Sequence, residues 1–572
     1  MNKKEVAKIL EEIGTILELK GENPFKTRAY FNGSRVIETL DQDLETLVTT
    51  GDISKIKGIG QALSEKITTL VQTGSLSYHE DLKLSIPDGL LNILKLPGLG
   101  SKKVKTIYDK LGITSVGELE YACRENRLRD LPGFGQKSQD KILDSIEMQK
   151  KYSERFLYPF AEATAYEVLT YLKSNQQIKR LEISGSLRRK METVKDIDII
   201  GSCDEKNRES IMQYFTGYND TIKIVSQGTT KSAILLSTGI VAEIRLVNDD
   251  QFPFLLQYNT GSKEHNTHLR RIAKDAGFKL NENGLFEGQK PVICQNETEV
   301  YMNLGLSYIQ PELREDTGEI EAAREKSLPI LYDGEPYYGL FHVHSTYSDG
   351  ANTLEQISTA CKSIGLSYVG ICDHSKSAFY ANGLTEERVE EQQKKIDWLN
   401  EQDPGFTIFK GIEVDILQDG SLDYDDNVLA NFDFVVASVH SNFKLSEEVQ
   451  TRRICRALTN PYVTMLGHTT GRLLLAREGY ALDMEEVIKV AGEEGKVIEI
   501  NSSPYRLDLD WRWGKLAQKR GIKTALNPDA HSIEGLKDYR YGIGIAKKGW
   551  FRTEDVLNSY TIEEIQKFFQ TG

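Results

Sequence analysis

Closely spaced cysteines, long apolar runs and an excess of basic residues are all missing from this sequence. Its six cysteines, Cys123, Cys203, Cys294, Cys361, Cys372 and Cys455, are scattered and form no CxxC pair. That argues against a disulfide framework and against thiolate-zinc modules. No apolar run approaches the roughly 20 residues needed to cross a bilayer. The opening MNKKEVAKILEEIG reads as a helix rather than a secretory leader. These absences predict a cytoplasmic protein with no membrane partner. Acidic residues outnumber basic ones, 85 to 71, for a net charge of −14. Bulk charge alone therefore disfavours a nucleic-acid partner. Histidine is scarce as well, nine in all, so its placement carries more information than its amount. With 39% hydrophobic and 27% charged residues, wholesale disorder is excluded. At about 150 residues per domain, a chain of 572 residues predicts several domains, each large enough to bury a core.

The first 150 residues read as short helices joined by glycine-rich turns. Three turns share one pattern: IKGIG ending at Gly60, LPGLG ending at Gly100 and LPGFG ending at Gly135. Their first glycines, Gly58, Gly98 and Gly133, are spaced by 40 and 35 residues, and a helical stretch follows each turn. Such a turn exposes N–H groups at a helix start, where they can hold a phosphate without reading a base. Three copies predict DNA-binding helix-hairpin-helix units. Lys102, Lys103 and Lys105 add non-specific attraction or are solvated surface charges. The segment NPFKTRAY (23–30) suits either strand ends and base stacking or a helix start packed through Phe25 and Tyr30.

From Ile178 onward the pattern becomes β-like. Asp196 and Asp198 lie two apart in DIDII, so both side chains face one way. Paired carboxylates attract a divalent cation, and Glu243, inside the apolar run IVAEIRL, is the obvious third ligand. Upstream, Gly185, Ser186, Arg188 and Arg189 combine a glycine turn, a hydroxyl and two guanidinium groups able to hold a triphosphate.

The pattern GSxRR, six intervening residues, then DxD resembles the nucleotidyltransferase site of the DNA polymerase X family. The resemblance runs from residue 1 to about 315 and takes in GTTK (228–231) and YNTGSKEHN (258–266). It implies Mg²⁺ or Mn²⁺ at Asp196, Asp198 and Glu243. It implies Gly185, Ser186 and Arg189 at the nucleotide phosphates, Tyr258 at the sugar, and Asn266 and Arg270 at the base pair and template. Arg245 would pair with a site carboxylate. Lys66 stands where lyase members carry a Schiff-base lysine, and it is otherwise a surface lysine. Two positions depart from the family pattern: Glu243 replaces an aspartate, and Asn259 replaces an aromatic residue. If the longer Glu243 places its carboxylate poorly, Glu243→Asp should raise turnover.

The charged stretch 312–326 lacks a core pattern and reads as a connection. Beyond it, apolar runs alternate with helical stretches at the rhythm of a β/α barrel, giving about seven strands. Six of the nine histidines lie at or just past strand ends: His342, His344, His374, His440, His468 and His531. Asp349, Glu413 and Asp529 join them. A barrel brings those ends together, so nine ligands imply two or three ions, and His plus carboxylate without cysteine fits Mn²⁺, Zn²⁺ or Fe²⁺. Cys372 reads as core. Trp511 and Trp513 are either core or DNA-stacking residues, and Arg506 either touches phosphate or pairs with Asp508. The nine-ligand pattern, over residues 337 to 572, resembles the PHP family of metal-dependent phosphoesterases.

Both resemblances together match the bacterial and archaeal DNA polymerase X architecture. They imply a multidomain α+β polymerase core, with a helical N-terminal domain, a mixed-sheet palm and a small α/β thumb-equivalent, joined to a distorted α/β PHP barrel. The expected boundaries are 1–80 (helical, lyase-like), 81–152 (helix-hairpin-helix), 153–250 (palm), 251–315 (nucleotide- and template-contacting), 316–336 (linker) and 337–572 (barrel). The implied activity is gap-filling synthesis in base excision repair, coupled to 3′–5′ degradation and abasic-site incision. The expected partners are gapped or nicked duplex DNA and deoxynucleoside triphosphates, met by a monomer at the nucleoid. Two other readings compete: a DNA-binding nuclease with a degenerate polymerase site, and a small-molecule phosphoesterase fused to a DNA-binding scaffold.

Overall fold

The computed structural model describes residues 1–572 except 41, 88, 97, 130, 151–153 and 572. The chain forms two compact units, Met1–Met148 and Gln149–Gly572. The expected boundary at 152–153 falls outside the described residues.

The first unit is helical throughout. Its opening helix, Lys3–Leu19, is closed by a capping box between Asn2 and Glu5 and buries Val6, Leu10, Ile13 and Leu17 on one face. The NPFKTRAY segment starts the helix Pro24–Glu38, with Asn23 as its cap and proline in the first turn. Tyr30 is buried there, whereas Phe25 is 79% exposed, so only one of the two aromatics packs inward.

The second unit begins with a five-stranded mixed sheet. Its strand order is Arg180–Ile183, Asp196–Ser202, Val241–Val247, Lys231–Leu236, Thr221–Gln227. Only the pair Asp196–Ser202 and Val241–Val247 is parallel. A three-stranded antiparallel sheet (Phe278–Asn281, Gly284–Glu287, Lys290–Val292) follows.

The charged stretch expected as a linker is not a free connection. It forms the helix Glu319–Glu325, and Ile320 and Ala323 join the same apolar cluster as Leu269, Leu280 and Leu285. Two of its charges are buried with partners: Arg314 with Glu297, and Glu319 with His265. A partner of opposite charge or a hydrogen-bonding ring offsets the cost of burying them.

Seven strands then pair in chain order, every pair parallel: Gly339–Val343, Tyr368–Ile371, Thr407–Asp415, Phe434–Ser438, Met465–Leu466, Val497–Asn501 and Thr524–Asn527. A parallel bridge from Val343 to Ala530 draws the first strand toward the end of the last, closing most of the barrel. Runs such as FVVAS are apolar at nearly every position because both faces of these strands are covered. Cys372 lies in the core, as expected. Trp511 is buried in the core and Trp513 packs partly against it, which favours the core reading of both. Among the described residues no helix is long and apolar enough to cross a membrane.

Candidate active sites

Asp196 and Asp198 share a face of one strand, and Asp198 lies directly opposite Glu243 on the parallel neighbour. Burial, reinforced by the charges of Asp196 and Glu243, pushes Asp198 up to about 6. Burial and Glu243 likewise raise Asp196. Three carboxylates that repel one another in a part-buried patch are chemically suited to a divalent cation. Glu243 is held by Lys231 Nζ at 2.7 Å and Arg245 Nε at 3.1 Å, so Arg245 does pair with a site carboxylate.

Above this patch runs the Gly185–Arg189 turn. Ser184 N–H donates to the Asp198 carbonyl at 2.8 Å. Gly185 has φ +64°, and a Cβ there would stand 2.1 Å from Asp198 Oδ2. Glycine is therefore required both by conformation and by the close approach. The two arginines diverge. Arg188 is bound by Glu297 at 2.6 Å and by Thr260 Oγ1, making it an internal clamp rather than a free phosphate ligand. Arg189 lies beside Glu315, with Nε 2.9 Å from Oε1, and also donates to the Thr260 carbonyl. Asn266 Nδ2 donates to the Tyr258 carbonyl at 2.6 Å, and Arg270 Nε to the Asn266 carbonyl at 3.3 Å. The first contact ties the helix Phe252–Thr260 to Lys263–Asp275 beside the turn, and the second lies within the latter helix. Asn259 reaches Ser184 Oγ at 3.4 Å.

All nine expected barrel ligands converge. Glu413 lies at the centre, with His468 Nε2 and His374 Nδ1 each 2.9 Å away and His440 Nε2 at 3.2 Å. Asp529 Oδ1 is 3.0 Å from His344 Nε2 and 3.5 Å from His342 Nε2. Asp349 is 3.4 Å from His531 Nε2 and 3.5 Å from His374 Nε2. Eight of the nine fall in three overlapping groups: His344, Asp349, His374 and His531; His342, His344 and Asp529; His374, Glu413 and His440.

The donor atoms themselves test the fit to metal ions. His342 Nε2, His344 Nδ1, Asp349 Oδ2, both nitrogens of His374, and Glu413 Oε2 are buried and make no well-aligned hydrogen bond among the described residues. Buried polar atoms are rarely left so, and cations would satisfy them. Burial and the neighbouring His531 and His374 push His344 down to about 3, which keeps it neutral and able to ligate.

Three buried carboxylates here escaped the sequence reading. Glu499 accepts from His342 Nδ1 at 2.7 Å and from the His468 N–H at 2.8 Å. Asp415 accepts from His440 Nδ1; the strand expected to end at Glu413 continues to Asp415, on the same face. Asp373 binds Ser345, Ser348 and Gln392, anchoring the loop that carries Asp349. Glu499 and Asp415 hold the rings of candidate ligands from behind, and Asp373 holds the loop of a third. The available signal was a carboxylate inside an apolar strand. Arg506 is buried with Nε 3.7 Å from Asp529 Oδ2, and Asp508 is bound by Thr470.

In the helical unit the three glycine turns match bond for bond. Gly58, Gly98 and Gly133 have φ of +100°, +85° and +85°. Ile59 N bonds Ile56 O, Leu99 N bonds Leu96 O, and Phe134 N bonds Leu131 O. Gly60 and Gly100 cap the helices Gln61–Thr73 and Ser101–Leu111 with no side-chain hydrogen bond, so the first N–H groups of those helices stay open. A Cβ at Gly60, Gly100 or Gly135 would meet no described atom within 4 Å. Lys66 is half-buried with Nζ 5.1 Å from the centre of the Tyr78 ring.

Family models match four stretches: "Helix-hairpin-helix domain" at residues 1–76, "SAM-like Helix-hairpin-helix tandem" at 90–148, "DNA polymerase beta thumb" at 255–315 and "PHP domain" at 341–503. Over its whole length the chain is 38% identical to the whole of a Bacillus subtilis (strain 168) protein named "DNA polymerase/3'-5' exonuclease PolX". Over 30% of its length the chain is 31% identical to a "Probable phosphatase" of Thermoanaerobacter sp. (strain X514), covering 71% of that protein. A "Probable phosphatase" of Caldicellulosiruptor saccharolyticus is 32% identical over 33% of this chain and 78% of its own length.

Proposed function

The chain belongs to the DNA polymerase X family, in the form with a C-terminal PHP domain, and from that premise we propose that it fills short DNA gaps and trims 3′ ends at two separate sites. The observation that carries this reading is the pair of independent ligand clusters on one chain: three carboxylates under the Gly185 turn and nine donors at the barrel strand ends. Neither cluster shares a residue with the other.

In the synthetic site, attack of the primer 3′-hydroxyl on the α-phosphorus forms the new phosphodiester bond and releases pyrophosphate. Ser186 and Arg189 take up the charge of the nucleotide phosphates, Tyr258 packs on the sugar, and Asn266 and Arg270 face the base pair and template. Asp196, Asp198 and Glu243 would hold Mg²⁺ or Mn²⁺, which neutralises phosphate charge and acidifies the hydroxyl. In the barrel, His342, His344, Asp349, His374, Glu413, His440, His468, Asp529 and His531 would hold two or three ions of Mn²⁺, Zn²⁺ or Fe²⁺, which supply an acidified water. Arg506, whose Nε lies 3.7 Å from Asp529 Oδ2, would meet a phosphate in this reading. The glycine turns take the DNA backbone, so affinity does not depend on sequence.

The protein so described works as a monomer on gapped or nicked duplex with deoxynucleoside triphosphates, in base excision repair at the nucleoid. The phosphatase relatives support a small-ester reading only for the barrel third of the chain, whereas the polymerase relative covers all of it. A labelled gapped duplex with Mn²⁺ or Mg²⁺ tests the proposal. Extension with nucleotides and 3′ shortening without them are expected. Hydrolysis of a small phosphomonoester with neither DNA activity would overturn it.

A further inference from the structure

One lysine of the barrel half is buried inside the polymerase half's nucleotide turn. Lys548 ends the helix Tyr539–Lys548, and its side chain is fully buried. An ammonium has three donors, and all three of its hydrogen bonds go to the other half. They reach Glu315 Oε1 at 2.7 Å, the Arg189 carbonyl at 3.1 Å and the Glu312 carbonyl at 3.4 Å. The Trp511 ring lies 4.5 Å away, and the charge of Glu192 also acts on it.

Glu315 Oε1 also accepts from Arg189 Nε at 2.9 Å. Two cations therefore share one carboxylate oxygen. The same helix abuts the turn elsewhere: a Cβ at Gly544 would lie 3.2 Å from Lys190 Cβ. At the far end of the turn, Glu192 faces two more barrel-half cations, Arg472 at 3.6 Å and Arg512 at 3.8 Å.

We propose that Lys548 is a positioning residue for nucleotide binding, which neutralises Glu315 so that Arg189 keeps a charge to offer a triphosphate. With Lys548 present, the Glu315–Lys548 pair is neutral and Arg189 is held in place without being neutralised. With Lys548 uncharged, Glu315 belongs to Arg189 alone, and an incoming triphosphate must break a closed ion pair in a water-poor setting. The barrel half thereby sets the nucleotide affinity of a site that contains none of its own catalytic groups. This rests on the reading of Arg189 as a phosphate contact.

The test is steady-state nucleotide incorporation on a gapped duplex by four full-length variants: Lys548→Met, Glu315→Gln, the two combined, and Arg189→Ala. Lys548→Met should raise the nucleotide KM about fivefold or more, with kcat little changed and 3′ degradation by the same preparation intact. Adding Glu315→Gln should bring KM back toward the wild-type value, because the carboxylate that captures Arg189 is gone. An unchanged KM in Lys548→Met overturns the inference. So does a raised KM that Glu315→Gln fails to restore, since a purely structural lysine would give added damage. If Arg189→Ala leaves KM unaltered, the phosphate-contact reading itself fails and the inference falls with it. A raised KM in Arg189→Ala beside a normal one in Lys548→Met sinks the inference alone.

Discussion

Gly185 lies against Asp198 so closely that a Cβ would stand 2.1 Å from the Asp198 Oδ2. The turn proposed to meet the nucleotide and the carboxylate proposed to hold the metal are thus set by one contact. Gly185→Ala would clash there and force a residue with φ +64° into a disfavoured region. An ångström of displacement at a reacting centre can cost about 10²-fold in rate. Single-nucleotide incorporation by Gly185→Ala should fall by about that factor, with 3′ degradation unchanged.

Asp196→Ala with Asp198→Ala should abolish synthesis and spare degradation, and His342→Ala with His344→Ala should do the reverse. The first pair carries a further signature. Asp198 is raised to about 6, so without metal its protonated form favours folding. That contribution is full below the unfolded value of about 3.9 and is lost as pH rises through about 6. In EDTA at pH 8 the double aspartate variant should therefore show a Tm no lower than that of the wild type. Loss of both activities in either folded variant would refute the separation of the sites.

Glu499 should be as important to the barrel site as a direct ligand, because it fixes the His342 ring and the His468 backbone at once. Glu499→Gln is expected to cost about 10- to 100-fold in degradation or metal affinity. Metal content by elemental analysis should fall in step, while nucleotide incorporation stays at its wild-type level.

Local periodicity encodes part of the fold and of the candidate sites. Asp196 and Asp198 were legible because a strand puts i and i+2 on one face. The nine barrel ligands were legible because parallel strands deliver their ends to one rim. Glu499 was not, since its meaning depends on His342, 157 residues away. Glu315 and Lys548 meet across 233 residues, a distance no local pattern spans. The 312–326 stretch misled for a different reason: its charge suggests solvent, yet Arg314 and Glu319 are buried because each has a partner of opposite charge or a hydrogen-bonding ring.

The glycine turns offer a contrast between fold and ligand. Gly98 has φ +85°, so Gly98→Val strains the backbone itself. Gly100 has φ −91° with no described atom within 4 Å of its would-be Cβ, so neither backbone conformation nor space demands glycine there, and its one service to the free protein is as a helix cap. Gly100→Val should cost no more than about 1 kcal/mol of stability in urea unfolding, the scale of a lost helix cap, and still weaken binding to gapped duplex, measured by fluorescence anisotropy. Unaltered affinity would show that the second glycine is not where the backbone approaches.

Glu297 joins Arg188 of the nucleotide turn to the fully buried Arg314, at 2.6 and 2.7 Å. Burial alone would raise its carboxyl, but Arg314 and Arg188 outweigh that and hold it at about 2. A depressed carboxylate stabilises the fold above its unfolded value of about 4.3, and that contribution is lost as pH falls through about 2. Glu297→Gln removes the charge and leaves two guanidinium groups without their shared counter-ion. Breaking a buried pair on one side typically costs about 3–5 kcal/mol, and urea unfolding at pH 7 should show a loss of that order. Between pH 4.3 and pH 2 the wild type should lose stability toward the variant, so the gap between the two curves narrows as acid is added. A gap that stays constant over that window would mean that Glu297 does not carry its charge at neutral pH for this purpose, and that the clamp on Arg188 is held by packing instead.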